Sequence, residues 1–343
     1  MRYGMLGGSG LTVSRVGLGC NNFGGHDRPT ASPAPVARLD VAATRAVVDA
    51  ALDAGVTFLD TADFYGNRGG SEEVLAEVLQ DRRERVVLAT KFGEDMGDGE
   101  LARGRAAYIR RAVEASLRRL QTDWIDLCYY HRPDGVTSLE ETLGGLAELV
   151  REGKVREIGV SNMTLEQLEE CARLTVCGKL VPVRALQNVC NLLDRRALRA
   201  EVPRCLELGI GFIPFFPLAS GMLTGKYSRG EPIPAGTRLA RAGNPLLDSQ
   251  FDAVEALELF ARDRGHSLLE LAIAALASTP GISSVIAGAT TPQQVRANAA
   301  AADWELAPGE LRDLHVLLDG LERSPEVPTV GVANSRRQSE EER

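Results

Sequence analysis

Phe58-Leu59-Asp60-Thr61-Ala62-Asp63-Phe64-Tyr65-Gly66 is the stretch on which the fold turns. Two apolar residues lead into a carboxylate, and a tyrosine follows five positions later beside a glycine. A short apolar run bounded by turn signals reads as a buried strand. A carboxylate at its end then faces a cavity or a partner charge rather than the core. Outward from this stretch the same design recurs. The next apolar run, 86–91, ends on Lys91, and the one after it, 125–130, runs into His131. Alternation along each strand puts Phe58 with Asp60, Ala89 with Lys91, and Tyr129 with His131 on common faces.

The rest of the chain fits this rhythm. Residues 3–16 surround Gly7, Gly8 and Gly10 with short β-like runs, a hairpin signal, expected to plug the bottom of whatever follows. The first buried strand is 16–20, and a loop rich in Gly, Pro and Asn spans 21–38. Helix 41–54 stops at Gly55, strand 57–62 follows, and a helix over 71–79 starts at Ser71. Helix 103–120 carries Ala106, Ile109, Val113, Leu117 and Leu120 on one stripe. Ser138 with Glu141, and Thr164 with Gln167, are capping-box patterns that open two further helices. Asp194 is expected to cap a helix over 194–208. Strands fall at 155–160, 185–188, 210–214 and 284–287. A Gly/Pro-rich loop covers 219–248, helices cover 250–264 and 267–279, and Thr291-Pro292 opens the next helix with proline in the first turn. A last helix over 309–321 is an appendage.

Eight strands alternating with helices call for a parallel sheet. A doubly wound sheet would carry a Gly-x-Gly-x-x-Gly turn after its first strand. Gly17, Gly19, Gly24 and Gly25 do not have that spacing. The expectation is α/β, a (β/α)8 TIM barrel, with residues 1–321 forming a single domain and 322–343 a charged C-terminal tail.

Composition limits the partners. The 343-residue chain is 44% apolar and 25% charged with a formal net charge of -8, so no nucleic acid and no anionic membrane surface is expected to bind it. No apolar run is long enough for a membrane span, and the N-terminus opens no secretory signal. The six cysteines, at 20, 128, 171, 177, 190 and 205, form no Cys-x-x-Cys pair. That spacing predicts reduced thiols in a cytoplasmic protein and no metal site.

Active sites of such barrels lie at the C-terminal ends of the strands. There Asp60, Lys91 and His131 would meet, with Tyr65 on the loop above. A carbonyl that accepts a hydride becomes an alkoxide and needs a proton, which a phenol can give, although its free pKa is about 10. A lysine ammonium about 4 Å away contributes roughly 4 kcal/mol at an effective dielectric near 20. That corresponds to as much as roughly three pKa units, enough to tune Tyr65 toward neutrality. Burial would discharge Lys91 unless Asp60 held it charged, and His131 can orient the substrate oxygen. Taken singly, each group has a blander reading: an inner-barrel ion pair, a packed tyrosine, a satisfied histidine. The four together at three successive strand ends make that reading much weaker.

These residues resemble the aldo-keto reductases over about residues 3–302, in the branch that includes potassium channel beta subunits and bacterial general reductases. The carriers are the stretch quoted above, Leu88 to Gly93 around Lys91, Asp126 to His131, and Gly153 to Asn162. The resemblance implies that Tyr65 is the general acid/base, that Lys91 and Asp60 tune it, and that His131 holds the carbonyl. It implies that Ser161, Asn162 and Gln187 bind the nicotinamide carboxamide, and that Gly19 and Asp60 contact the cofactor. The segment 214–226 resembles a cofactor-clamping loop, with Phe215 under the ring, Phe216, Pro217, Leu218 and Ser220 around it, and Lys226 at the pyrophosphate. Arg238 is expected at the adenosine phosphate. The segment 288–298 resembles the adenosine-phosphate site, with Gly288, Thr290, Gln294 and Asn298. Gln294 is equally the last position of a capping pattern begun by Thr291. Some members carry arginine there to grip a 2′-phosphate, but members with glutamine also resemble NADP binders, so NADP(H) is the expected cofactor and NAD(H) the alternative.

The implied activity is reduction of an aldehyde or ketone to an alcohol, or the reverse, on a small-molecule substrate. The competing reading is a cofactor-binding regulatory protein that senses redox state with little turnover. An oligomer is compatible with either. Phe23, Phe64, Phe92, Tyr129 and Tyr130, together with the loops 21–38 and 219–248, are expected to wall the substrate pocket, each aromatic with packing as its alternative.

Overall fold

The computed structural model describes residues 1–25, 38–176, 180–242 and 248–322. Most of the loop 21–38, Cys177 and nearly all of the C-terminal tail therefore lie outside the described residues.

Apolar runs become strands in the order expected. A hairpin of β1 (Tyr3–Met5) and β2 (Thr12–Ser14) precedes eight strands: β3 (Val16–Gly19), β4 (Phe58–Asp60), β5 (Val87–Phe92), β6 (Ile125–Tyr130), β7 (Val155–Ser161), β8 (Val183–Val189), β9 (Gly211–Phe215) and β10 (Val285–Gly288). All seven neighbouring pairs from β10 through β3 to β9 are parallel. A parallel bridge between Phe212 and Ile282, with hydrogen bonds of 2.9 Å from Phe212 N to Gly281 O and from Ser283 N to Phe212 O, closes the ring. The chain is a (β/α)8 barrel.

Strand alternation divides the core in two. Phe58, Ala89, Leu127, Tyr129, Ala185, Ile213 and Ile286 point inward. Leu59, Leu88, Cys128, Tyr130 and their neighbours point outward against the helices. Leu6 and Val13 of the hairpin are fully buried in the inner cluster, which contributes about 1.5–3 kcal/mol each. Gly8 N donates to Gly209 O at 2.7 Å, so the plug sits at the N-terminal ends of the strands, as expected. The opposite mouth is left open for chemistry.

The helices are α1 (Val41–Asp53), α2 (Tyr65–Leu79), α3 (Ala106–Leu120), α4 (Leu139–Arg151), α5 (Leu165–Val176), α6 (Arg196–Arg199), α7 (Glu201–Leu208), α8 (Arg238–Ala242), α9 (Asp248–Arg262), α10 (Leu268–Ser278), α11 (Pro292–Ala301) and α12 (Pro308–Glu322). Ser138 accepts from Glu141 N, and Thr164 and Gln167 cap one another reciprocally.

Two local expectations are corrected. The helix over 194–208 is two helices, broken at Ala200 (φ -123°, ψ -67°). Pro203 lacks an N–H and would clash with the carbonyl four residues back, so α6 cannot run through it. Asp194 stands one residue before the N-cap, Arg195; its carboxylate holds the Arg196 guanidinium at 2.6 Å and accepts from Arg196 N at 3.4 Å. Likewise the helix expected over 71–79 begins earlier, at Tyr65, and the Ser71 hydroxyl within it donates to Cys20 O at 2.8 Å and meets the Thr61 hydroxyl at 2.8 Å. The regular part of α2 is preceded by four residues in left-handed geometry, Gly66, Asn67, Arg68 and Gly69. The 219–248 loop contains a 3₁₀ turn, Ala219–Thr224, and α8.

Candidate active site

At the open mouth, β4 and β5 end side by side. Lys91 Nζ donates to Asp60 Oδ2 at 2.6 Å and to Thr61 O at 2.9 Å. Gln187 Nε2 donates to the other oxygen, Asp60 Oδ1, at 2.9 Å. The ammonium and the carboxylate are both almost fully buried, so each depends on the other for its charge. Lys91 Nζ lies 4.9 Å from the centre of the Tyr65 ring. The Tyr65 and His131 rings meet edge to face, 5.7 Å apart at 82°. Asp60, Tyr65, Lys91 and His131 thus converge.

Their electrostatics differ in one respect from the sequence reading. Burial by itself pulls Lys91 down, but Asp60 and then Tyr65 outweigh it, and the ammonium ends above its ordinary value. For Tyr65, burial is the largest influence and pushes the phenol up; Lys91 opposes, Asp60 reinforces, and the net direction is up. One lysine therefore does not bring this phenol toward neutrality, because burial outweighs it and the counter-ion that keeps the lysine charged also cancels part of its field. His131 is driven well below the ordinary histidine range, first by burial and then by Lys91 and Arg132. It is a neutral imidazole, and its Nδ1 has no hydrogen-bond partner among the described residues.

A cavity of about 490 Å³ runs from this quartet across the mouth, walled by Tyr65 and His131 at one end and by Gly288, Gln294 and Asn298 at the other. Asp60, Ser161, Asn162 and Gln187 line its inner wall. Asn162 Nδ2 donates to His131 O at 3.0 Å and to Ser161 Oγ at 3.1 Å, and Ser161 Oγ donates to Gln187 O at 2.8 Å. Asn162 holds this place with φ 54°, a conformation asparagine tolerates better than most residues. Phe215, Phe216, Pro217, Leu218, Ser220 and Lys226 line the outer wall. Two glycines sit close against the cavity: a Cβ on Gly19 would lie 3.1 Å from Ile286 Cγ2, and Gly221, at φ +97°, holds a backbone conformation that residues with a side chain rarely adopt.

The Arg238 guanidinium lies 4.7 Å from the Phe216 ring centre and also lines the cavity. Gln294 uses its Oε1 to accept from Thr290 N at 2.7 Å and from Thr290 Oγ1 at 3.1 Å. Its backbone N donates to the Thr291 hydroxyl. Gln294 therefore ties down the turn that opens α11, and it also lines the cavity.

Of the expected cavity residues, Lys91 and Thr290 do not line it: Lys91 sits behind Asp60, and Thr290 serves Gln294. The expected aromatic wall is corrected. Phe23, Phe92, Tyr129 and Tyr130 are buried in the core, Phe92 stacks on Tyr130 at 5.3 Å, and only Phe64 is half-buried. Phe92, Tyr129 and Tyr130 pack because strand parity turns them into the two cores, and Phe23, in the loop after β3, joins the outer one. Asn21 and Asn22 from the loop 21–38 and Thr224 from the loop 219–248 line the cavity, as expected of those loops, whereas Leu269 lines it without having been anticipated. Nothing local marks Leu269, which reaches the cavity from α10.

No group of three or more His, Cys, Asp or Glu among the described residues is arranged to hold a metal. The five described cysteines are free and buried. No described helix is long and apolar enough to cross a membrane.

Comparison with known proteins matches residues 15–318 to the family model described as Aldo/keto reductase family. A probable voltage-gated potassium channel subunit beta from Oryza sativa subsp. japonica is 36% identical over 321 residues, covering 88% of this chain and 92% of that protein. The aldo-keto reductase YhdN of Bacillus subtilis is 32% identical over 341 residues, covering 96% and 97%. The L-glyceraldehyde 3-phosphate reductase of Escherichia coli K12 is 31% identical over 313 residues, covering 87% and 86%.

Proposed function

The chain belongs to the aldo/keto reductase family, and from that premise we propose that it is an NADP(H)-dependent reductase of aldehydes or ketones with Tyr65 as proton donor. The observation that carries this reading is the convergence of Tyr65, Lys91, Asp60 and His131 at the inner end of a long cavity.

The cavity suits a nicotinamide dinucleotide. Its inner wall carries the amide and hydroxyl groups of Asn162, Gln187 and Ser161, matched to a carboxamide. Phe215 offers a ring face for stacking. Lys226, Arg238 and the N-terminus of α11 supply positive charge and N–H donors for phosphates. When bound, the cofactor supplies the hydride.

The protein's own residues do the rest. His131, neutral, donates to the substrate carbonyl and orients it. Tyr65 gives its proton as negative charge develops on that oxygen. Lys91, held charged by Asp60, stabilises the phenolate that is left. Because burial keeps the Tyr65 phenol protonated above its ordinary range, the resting enzyme is poised as an acid, which suits reduction.

Fluorescence titration with NADPH and NADH, followed by a panel of aldehydes, ketones and alcohols, tests the proposal. Tighter binding of NADPH and turnover of carbonyls are expected. Equal affinity for the two would remove the assignment of Arg238 and Gln294 to a 2′-phosphate. A second reading, a cofactor-holding subunit of a larger assembly, is favoured by the likeness to proteins named as probable potassium channel beta subunits. Tight cofactor binding with negligible turnover across the panel would support it instead.

A further inference from the structure

Beneath the Tyr65–Lys91 pair lies a second group of charges that the proposed mechanism does not use. Glu72 of α2 is fully buried. It accepts from Thr90 Oγ1 at 2.6 Å and from Arg119 Nε at 2.7 Å. Thr90 precedes Lys91 on β5, and Arg119 reaches in from α3. The arginine crosses directly over the left-handed turn that follows Tyr65: a Cβ on Gly69 would lie 2.6 Å from Arg119 Cδ. Asp63 shares this space. It is 1% exposed, and neither of its carboxylate oxygens has a hydrogen-bond partner among the described residues. Its backbone N donates to Lys91 O at 3.0 Å, so it is fastened to the lysine strand and stands two residues before the tyrosine.

We infer that Asp63 is a positioning residue for Tyr65 and Lys91, seated beneath them as a neutral acid beside the Glu72–Arg119 ion pair. Two buried carboxyl groups face one guanidinium, and that guanidinium is already engaged by Glu72. A second ionised carboxylate would be buried with no counter-ion of its own and only the neighbouring Phe64 N–H to ease it, which is costlier than holding a proton. The groups around Asp63 agree. Among the described residues, Glu72 of α2 and Glu94 after β5 are like charges, Arg119 of α3 is the opposing charge, and Tyr108 of α3 and Cys128 of β6 are further titratable neighbours. Burial and Glu72 both raise the Asp63 carboxyl well above the usual range. Ionisation would push residues 61–65 away from Glu72, pulling on the Asp63–Lys91 backbone bond and displacing Tyr65.

The inference rests on Tyr65 being the proton donor, so the experiment has arms with and without turnover. Thermal unfolding of the wild-type protein, Asp63→Asn and Glu72→Gln is followed from about pH 5 to about pH 8. A carboxyl whose folded value is raised costs stability progressively as pH rises above the unfolded value of about 3.9. Asp63→Asn has no such proton to lose, so its Tm relative to wild type should rise with pH. In Glu72→Gln, Arg119 is free to pair with Asp63, and the pH dependence should shrink. In turnover assays, Asp63→Asn should keep kcat within about twofold, whereas Asp63→Leu should lower kcat at least about tenfold with cofactor affinity unchanged. An Asp63→Asn gap that is negative and constant with pH would overturn the inference, because Asp63 would then be ionised and held by a counter-charge. So would loss of kcat in Asp63→Asn with its Tm preserved. Equal, undiminished turnover in Asn and Leu variants would reduce Asp63 to packing. Wild-type protein that shows the widening Tm gap but no dependence of turnover on Tyr65 would sink the proton-donor reading and leave the buried proton in place.

Discussion

Replacing Lys91 by Met separates the two things the lysine does. Its Nζ lies 4.9 Å from the Tyr65 ring centre. At an effective dielectric near 20, a unit charge at that separation contributes about 3 kcal/mol to a phenolate, equivalent to roughly two and a half pKa units. Asp60 cancels part of this, and the phenolate is only partly formed at the transition state. The expected loss in kcat is therefore about 30- to 300-fold. The same change strands Asp60, which is 3% exposed and would keep only the Gln187 hydrogen bond. Breaking a buried pair from one side costs about 3–5 kcal/mol of stability. Adding Asp60→Asn should recover much of that stability and none of the rate.

The assay is steady-state carbonyl reduction alongside thermal unfolding, repeated in a Tyr65→Phe background. If the lysine acts through the phenol, Lys91→Met should cost little once Tyr65 is gone, a strong departure from additivity. An equal loss of kcat in both backgrounds would refute this, because the lysine would then serve the cofactor or the fold alone.

Four further outcomes are expected. Tyr65→Phe should lower kcat by about 10²- to 10⁴-fold while fluorescence titration finds cofactor affinity nearly unchanged, since Ser161, Asn162 and Gln187 are untouched. Because the Tyr65 phenol is raised in the fold, the pH profile of reduction should be flat through neutrality and fall only at high pH, and alcohol oxidation should climb with pH. Neutral burial of His131 adds an acid limb to stability: below about pH 6.5 the unfolded chain takes up a proton that the folded one refuses, so Tm should decline there and less so in His131→Gln. Gly25 has φ +69°, and a Cβ on it would lie 2.1 Å from Gly66 O. Gly25→Ala should therefore destabilise the protein by about 1–3 kcal/mol or more, visible in denaturant melts, and lower kcat by moving the turn beside Tyr65.

The barrel, its bottom plug and the four converging residues were legible from local pattern. Eight apolar runs ending in polar groups, separated by helical periods, admit few topologies, and strand parity assigns each terminal side chain to a face. The cavity wall was less legible. Phe23, Phe92, Tyr129 and Tyr130 look like pocket residues in a linear text, yet three-dimensional packing turns them into the core, while Leu269 reaches the cavity from α10, where no local signal marks it.

Residue types and their spacing alone determined that a phenol, an ammonium, a carboxylate and an imidazole would meet at one end of a barrel. Only the tertiary structure decided their protonation. A pairwise Coulomb argument pulled Tyr65 down, whereas burial, a property of every surrounding atom, pushes it up. The same holds for Asp63, whose proton depends on a guanidinium 56 positions later in the chain already being engaged by Glu72.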